Sequence, residues 1–174
     1  MTDSPCGGGL LTTYLEMRHD EFRPAYVDVA EARVERMRTP DVAFYRFLYR
    51  EVGEAWRWRD RLLLSDTELA EILNSPQTEV WTLYVSGVPA GYVELHRDDT
   101  ETEIAYFGLR AAFMGRGLGK HLLSSGVQRA WDAGAARVWV HTCNLDGPHA
   151  LANYRARGFR VVKLVWEPLP ARYR

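Results

Sequence analysis

The sequence of 174 residues has few of the features that mark secreted, metal-stabilised or membrane proteins. Its two cysteines, Cys6 and Cys143, lie far apart and form neither a disulfide framework nor a metal-ligand spacing. No apolar run reaches the roughly 18 residues that a membrane span needs, and charged side chains interrupt the apolar positions near the start of the chain. The sequence therefore predicts a cytoplasmic protein with reduced thiols, without a metal and without a membrane partner.

A strong net charge is also missing. Lys and Arg total 22, Asp and Glu total 23, and the formal net charge is -1. Binding to the phosphate backbone of nucleic acid needs a concentrated basic surface, so nucleic acid is not expected as a partner. An apolar content of 47% and a charged content of 26% are typical of globular proteins. We expect a flexible leader over residues 1–9 and a single domain over residues 10–174.

The first part of the chain carries signals for helices and then for antiparallel strands. Asp41 is a predicted N-cap for the helix DVAFYRFLYREVG, which ends at Gly53. Ser65 and a glutamate three residues later form a capping box for a second helix. The strand-like runs EVWTLYVS, AGYVELHR and TEIAYFGL follow, with Gly87, Val88 and Pro89 between the first two, and they predict an antiparallel meander.

The second part of the chain alternates helices and strands. A helix is predicted over 117–133 with Gly134 as its terminator, and the strand RVWVHTC follows it. Another helix lies between Pro148 and Gly158, and the strand FRVVKLVW comes last. The stretch LLTTYLEMR near the start also has strand character. The predicted fold class is α/β with a mixed sheet, in which an antiparallel meander leads into a β-α-β-α-β unit with helices on both faces.

The glycine-rich stretch GRGLGKH, at the start of the predicted long helix, is typical of a phosphate-binding loop. The nucleoside triphosphate loop requires a glycine where Met114 stands and a Ser or Thr where His121 stands, so that motif is excluded. The dinucleotide fingerprint requires a third glycine where Lys120 stands, so it is excluded as well.

A third loop fits better. The stretch from Met114 to Gly119 resembles the [Gln/Arg]-x-x-Gly-x-[Gly/Ala] loop of the Gcn5-related N-acetyltransferase (GNAT) family, although methionine replaces the first polar residue. A second resemblance lies downstream, where Asn144 follows a strand and Tyr154 to Phe159 match the pattern Tyr-x-x-x-Gly-Phe. The likeness covers about residues 78–165.

The resemblance implies a GNAT-type fold and acetyl-CoA as the acyl donor, with no metal. In the family the loop wraps the pyrophosphate, and the preceding strand leaves its neighbour to pair with the pantetheine arm. Gly108, inside an apolar strand, also indicates a bulge or a close backbone approach. The residues expected to bind the cofactor are Phe107, Gly108, Leu109, Met114, Gly115, Arg116, Gly117, Leu118, Gly119, Lys120, Asn144 and Tyr154.

The reaction that the resemblance implies is direct attack of a primary amine on the thioester in a ternary complex. Tyr154 is the expected proton donor to the departing thiolate. Glu103 is the leading candidate for the general base, Glu94 is the second, and a chain of water molecules is the alternative. Strand alternation predicts Glu103 and Ala105 on one face, with Ile104, Tyr106 and Gly108 on the other.

The acceptor is a small-molecule or peptide amine that the sequence does not identify. Most aromatic residues around the first helix are expected in the core, but Trp56 and Trp58 would favour an apolar or aromatic amine if they faced the cleft. His141 and His149 are expected to line a core and to face solvent, respectively. A catalytically inactive acyl-CoA-binding module is the alternative function, and a homodimer is left open.

Overall fold

The computed structural model describes residues 9–173, which contain four α-helices and seven β-strands. The strands are β1 (Gly9–Met17), β2 (Ala32–Arg36), β3 (Thr78–Val85), β4 (Val88–Arg97), β5 (Glu101–Leu109), β6 (Arg137–Cys143) and β7 (Arg160–Pro168). The helices are α1 (Val42–Gly53), α2 (Asp66–Asn74), α3 (Leu118–Asp132) and α4 (Ala150–Ala156). Within the described range no helix has the length and apolar character needed to span a bilayer. The expected leader lies outside this range, except for Gly9, which begins β1.

The first two helices begin where their capping residues predict. The Asp41 carboxylate accepts a hydrogen bond from the Phe44 backbone N–H at 2.7 Å, which satisfies one of the unpaired amides of α1. Ser65 and Glu68 form the predicted capping box of α2, because each side chain accepts a bond from the other residue's backbone N–H. Both predicted helix starts are confirmed.

The strands form one mixed sheet in the order β2-β3-β4-β5-β6-β1-β7. Strands β5 and β6 are parallel, and the other neighbours are antiparallel. The predicted meander is confirmed as β3, β4 and β5. Its first turn is tighter than the sequence indicated, because Val88 and Pro89 belong to β4 and only Ser86 and Gly87 stay between the strands.

Two features of the sheet were not predicted. Strand β2 pairs with β3 and forms one edge of the sheet, although its sequence ARVER gave no clear strand signal. Strand β1 lies between β6 and β7 and pairs with both of them, so β7 contacts β1 and not β6. The predicted β-α-β-α-β order is correct along the chain, but the last two strands are separated in space by the first.

Helices cover both faces of the sheet, as predicted. The larger core lies under α3 and α4 and includes Leu15, Leu95, Ile104, Leu122 and Tyr154. The second core lies under α1 and α2 and includes Tyr45, Leu48, Leu69 and Tyr92. Strands β4 and β5 are covered on both faces and form the base of the cleft, from which the cleft residues project.

Candidate active site

A cleft opens where the two parallel strands separate. Strands β5 and β6 are paired from Glu101 and Arg137 up to Ile104 and Val140, and no pair follows. Both strands continue, β5 to Leu109 and β6 to Cys143. The edge of β5 beyond Ile104 therefore has no strand partner on this side, and its backbone groups are available to a ligand.

A bulge in β5 sits at the start of this split. Glu94 of β4 is opposite Tyr106 and Leu95 is opposite Ile104, which leaves Ala105 as the extra residue. Because of the bulge, Ile104 faces the core under α3 while Tyr106 packs against the core under α1. The predicted alternation, with Ile104 and Tyr106 on one face, is therefore wrong.

Gly108 is not the bulged residue, because it pairs regularly with Tyr92. A close approach is found at Gly108, but a side chain of α1 makes it and not another stretch of backbone. A Cβ atom at this position would lie 2.5 Å from the Val52 side chain of α1, so only glycine lets the helix pack this closely on β5.

A cavity of about 830 Å³ lies where β5 and β6 separate. This volume lies in the upper part of the range for sites that bind small molecules and cofactors. One end is formed by the glycine-rich loop and α4, and the other end by aromatic residues of α1, β1 and the chain after α1. We call the first the cofactor end and the second the acceptor end, after the roles that the sequence predicts for them.

The cofactor end is built around two glycines in the left-handed conformation. Gly115 and Gly117 each have a φ of 75°, and Gly117 directly precedes α3. A Cβ atom at Gly115 would meet no atom within 4 Å, so the loop leaves open space there. The first amides of a helix have no internal partners and carry a partial positive charge, so this geometry fits a diphosphate.

The loop residues take different positions around the cavity. Met114, Gly115, Gly117 and Gly119 line it. Leu118 is fully buried in the core, so its backbone N–H is the group available to a ligand. The Arg116 guanidinium lies over the Phe113 ring, 5.8 Å from its centre, and Lys120 is exposed at the edge of the loop.

The expected pantetheine strand and the expected acid meet in the cavity. Phe107, Gly108, Leu109 and Tyr154 all line it. The Tyr154 ring is only 5% exposed and lies edge-on to the rings of Phe107 and Phe159, at 6.0 and 5.8 Å. Burial raises the pKa of the Tyr154 phenol well above its usual value, so the hydroxyl keeps its proton at neutral pH.

Asn144 is not among the residues that line the cavity. Its side-chain oxygen accepts a hydrogen bond from the Leu11 backbone N–H at 3.0 Å, and its side-chain nitrogen donates to the Gly9 carbonyl at 3.2 Å. Both polar groups of the amide are therefore committed to β1. These contacts fit a role for Asn144 in ordering the chain after β6, and its predicted binding of the cofactor has no support from the cavity lining.

The two candidate bases lie in different environments. Glu103 is on β5, and its carboxylate lies 3.3 Å from Nδ1 of His141. Glu94 is on β4 and is only 1% exposed. It forms an ion pair with Arg61 at 2.5 Å and accepts a hydrogen bond from the Tyr45 hydroxyl. Neither carboxylate is among the cavity-lining residues, but His141 is.

The acceptor end has an aromatic wall. The rings of Tyr49, Trp58 and Tyr106 pack against one another with centres 5.2 to 5.4 Å apart, and all three residues line the cavity. Trp56 and Tyr14 line it as well. The sequence favoured an apolar or aromatic amine on the condition that Trp56 and Trp58 face the cleft. Both residues line the cavity, so this condition is met.

A hydrogen bond connects the two sides of the cleft. The Trp58 indole N–H donates to the Asp146 carboxylate at 3.2 Å. The other carboxylate oxygen of Asp146 accepts bonds from the Thr142 hydroxyl at 2.6 Å and the Cys143 backbone N–H at 2.9 Å. Asp146 therefore caps the end of β6 and holds Trp58 in place, a role that the sequence did not indicate.

The last described residues close the acceptor end. Arg172 pairs with Asp60 at 2.7 Å, and the Tyr173 hydroxyl donates to the same carboxylate at 3.1 Å. Arg57 donates to the Tyr173 carbonyl at 3.1 Å. The turn Ala171–Tyr173 is thus fastened to the segment after α1, and Arg172 and Tyr173 line the cavity.

The fold and the cleft together define a class of protein, the mixed α/β acetyltransferases. The chain belongs to the GNAT acetyltransferase family, whose model matches residues 40–159. Within residues 9–173, no three potential ligands form a group that could hold a metal ion.

Known proteins share parts of the sequence and the fold. An uncharacterised N-acetyltransferase of Mycobacterium tuberculosis is 31% identical over 99 residues, which are 56% of this chain and 63% of that protein. The chain therefore spans less than two thirds of this relative. A GCN5-related N-acetyltransferase from Sphaerobacter thermophilus has a TM-score of 0.67 at 16% identity, over 96% of this chain and 55% of that one. An aminoglycoside acetyltransferase from an uncultured soil metagenomic sample, in complex with sisomicin, has a TM-score of 0.63 at 17% identity, over 73% and 87%.

Proposed function

We propose that the protein is an acetyl-CoA-dependent N-acetyltransferase that acetylates a primary amine of a small molecule or peptide in a ternary complex. The observation that carries the proposal is that one cavity joins the glycine-rich start of α3, the unpaired edge of β5 and the Tyr154 ring. The diphosphate of coenzyme A would fit the glycine-rich start of α3, and its amide-bearing pantetheine arm would fit the unpaired edge of β5. Acyl transfer also needs a proton donor to the leaving sulfur, and Tyr154 has this role in the proposal. The cytoplasmic location and the homodimer stay predictions.

The cofactor end supports coenzyme A as the carrier of the acetyl group. Backbone amides of Gly117, Leu118 and Gly119 would hold the diphosphate at the positive end of α3, while Lys120 adds charge at the rim. Backbone groups of Phe107 and Leu109 would pair with the pantetheine amides. When bound, the thioester supplies an activated acyl group for the acceptor amine.

The side chains of the cleft support direct transfer. The Tyr154 phenol is protonated at neutral pH, as an ordinary phenol is, and it can donate that proton to the sulfur as the carbon–sulfur bond breaks. Cys143 also lines the cavity, but burial raises the pKa of its thiol, which lowers the fraction of nucleophilic thiolate. An acetyl-cysteine intermediate is therefore disfavoured.

The acceptor end supports an amine with an apolar or aromatic body. The rings of Trp56, Trp58 and Tyr106 offer apolar surface to such a group, and they also attract a single ammonium ion through their faces. Three carboxylates line the cavity, and two of them, Asp60 and Asp146, already have partners, which leaves Glu167 for an acceptor cation. A singly charged amine therefore fits this wall better than a polycationic one.

The test is release of free thiol from acetyl-CoA in the presence of a panel of amines, together with calorimetry of coenzyme A binding. The panel contains phenethylamine, spermidine, sisomicin and a short peptide with a free N-terminus. We expect acceptor-dependent thiol release that is fastest with phenethylamine. Tight binding of coenzyme A without acceptor-dependent thiol from any amine would support the inactive acyl-CoA-binding module instead.

A further inference from the structure

His141 occupies the point at which the two parallel strands separate. The last paired residues are Ile104 and Val140, and His141 is the next residue along β6. Glu103 precedes Ile104 on β5, so the carboxylate and the imidazole face each other across the end of the strand pair. Their distance, from Oε1 of Glu103 to Nδ1 of His141, is 3.3 Å.

The neighbours of the imidazole fix its orientation. Its ring lies 5.8 Å from the Tyr14 ring of β1 and 6.2 Å from the Trp139 ring, measured between centres. The contact with Glu103 engages Nδ1. In the neutral imidazole with its proton on Nδ1, the lone pair is on Nε2. This nitrogen is therefore the one left to meet a ligand in the cavity that His141 lines.

The carboxylate of Glu103 is less accessible than the imidazole. Its side chain is 19% exposed, against 47% for His141, and Glu103 is not among the residues that line the cavity. An acceptor amine in the cavity thus reaches His141 before it reaches Glu103. The carboxylate can still act, because it holds the imidazole in one tautomer and stabilises the imidazolium that forms on proton uptake.

We propose that His141 is the general base of the transfer and that Glu103 is its positioning residue. The inference rests on the proposed N-acetyltransferase function and extends it to the residue that takes the proton. The acceptor reacts as the neutral amine, after its ammonium form has lost one proton to solvent. As the amine nitrogen bonds to the acyl carbon, Nε2 of His141 accepts one of the remaining N–H protons. As the carbon–sulfur bond breaks, its electron pair stays on sulfur, which receives the Tyr154 proton. His141 then releases its proton to solvent and Tyr154 regains one, so the products are the amide and the free thiol.

The charges around His141 suit this role. The hydrogen bond to Glu103 raises the pKa of His141, burial of the ring opposes part of that rise, and Asp146 and Asp60 add to it. Tyr14, with Lys163 over its ring, is the aromatic neighbour on β1. The other charged or titratable residues that line the same cavity are Tyr49, Tyr106, Cys143, His149, Tyr154, Glu167, Arg172 and Tyr173. A raised pKa makes the neutral imidazole a stronger base, which is favourable for proton removal from an amine.

The pH dependence follows from the sign of this shift. The base acts only in its neutral form, so activity is present above the pKa of His141 and is lost as the pH falls through it. The decrease of kcat at low pH, called the acidic limb below, is therefore expected at a pH above the ordinary histidine pKa of about 6.5. Replacing Glu103 by glutamine removes the charge that raises the pKa, so the limb should move to lower pH.

The kinetic experiment compares His141→Gln, Glu103→Gln and wild type with phenethylamine as the acceptor. His141→Gln should lower kcat by roughly 10²-fold or more and remove the acidic limb, while coenzyme A affinity by calorimetry stays unchanged. His96→Gln is the matched control, because this exposed histidine is opposite Glu103 on β4 but outside the cavity. It should leave kcat unchanged. Benzylamine, an amine of different basicity, should leave the limb in place, since the limb belongs to the enzyme.

A second experiment measures the histidine directly by NMR in the free protein. The ¹⁵N shifts of His141 at high pH should report the tautomer with the proton on Nδ1, and its pKa should fall in Glu103→Gln. A wild-type kcat in His141→Gln, a limb that follows the acceptor's basicity, or a proton on Nε2 would each overturn the base assignment. Wild-type protein that binds coenzyme A but releases no thiol with any amine would instead refute the transferase function itself.

Discussion

Tyr154 is the residue that we propose as the proton donor to the departing sulfur. A phenol of ordinary pKa, about 10, is already protonated at neutral pH, and burial between Phe107 and Phe159 raises the pKa of Tyr154 further. The same two rings fix the direction of the side chain. Gly158 follows α4 with a φ of 108°, and this left-handed turn lets Phe159 return to the Tyr154 ring.

Replacing Tyr154 by phenylalanine removes the hydroxyl that we propose as the acid and keeps the ring. We expect kcat to fall by roughly 10²- to 10⁴-fold, while coenzyme A affinity stays within about twofold of wild type, because general acid catalysis contributes on that scale. Thiol-release kinetics and calorimetry measure the two quantities. Tyr26→Phe is the control, since Tyr26 is 51% exposed and does not line the cavity. Unchanged turnover in Tyr154→Phe would remove this residue from the mechanism.

Gly115 offers a test of the diphosphate cradle that separates binding from folding. Gly115→Leu places a side chain in the open space of the loop at a left-handed φ, so it should weaken coenzyme A binding by at least about tenfold, or about 1.4 kcal/mol. The strain of the backbone alone should lower the free energy of unfolding by about 1–3 kcal/mol. Calorimetry and denaturant unfolding measure the two effects.

Gly134→Leu is the matched control for the strain. Gly134 ends α3 with a φ of 86°, and a Cβ atom there also meets nothing within 4 Å. This variant should lose a similar amount of stability and bind coenzyme A normally. Equal coenzyme A affinity in the two variants would place the diphosphate elsewhere.

At the scale of elements, the segment between α1 and α2 is fastened to the sheet by a buried ion pair. Arg61 lies in the turn Asp60–Leu62 and reaches Glu94 of β4, and its guanidinium also lies over the Tyr106 ring at 5.2 Å. Burial lowers the pKa of Arg61, but the Glu94 carboxylate, Tyr45 and Tyr106 together more than offset this, so the net shift is upward. The pair holds the segment that carries Trp58 and Asp60 against the cleft.

Removing one partner of this pair should be costly. Arg61→Met leaves the Glu94 carboxylate buried without a cation, and we expect a loss of about 3–5 kcal/mol in the free energy of unfolding. Adding Glu94→Gln removes the uncompensated charge and should recover part of that loss, which denaturant unfolding measures. A loss below about 1 kcal/mol for Arg61→Met, or no recovery in the double variant, would contradict a buried pair.

At the scale of the whole molecule, β1 brings the first and last strands of the chain together in the sheet. It pairs with β6 on one side and with β7 on the other, so β7 is held in the sheet through β1. Leu15 is opposite Val140 and Val161 and is fully buried in the larger core. The first strand therefore completes the β6 side of the cleft, where Leu10, Thr12 and Tyr14 line the cavity.

Leu15→Ala should destabilise the protein by about 2–5 kcal/mol, because it creates a cavity that three strands cannot easily close. Leu164→Ala is the matched control on the neighbouring strand β7. Leu164 is 61% exposed, so its removal should change the free energy of unfolding by less than about 0.5 kcal/mol. Equal effects of the two substitutions in denaturant unfolding would mean that β1 is not buried between β6 and β7.

Those parts of the fold that depend on local interactions could be predicted from the amino-acid sequence alone. The caps at Asp41 and Ser65, the start of α3 after Gly117 and the meander of β3 to β5 follow from hydrogen bonds and apolar spacing within a few residues. The motifs at Met114 to Gly119 and Tyr154 to Phe159 identified the family for the same reason, since all residues of each motif lie within one short segment.

Contacts between segments that are far apart in the chain could be found only in the folded structure. The place of β1, the bulge at Ala105, the commitment of Asn144 to β1 and the contact of Glu103 with His141 join residues that are far apart in the chain or alter strand alternation without a local signal. Packing and strand order settle such contacts, because a polar side chain takes whichever partner the completed fold brings to it.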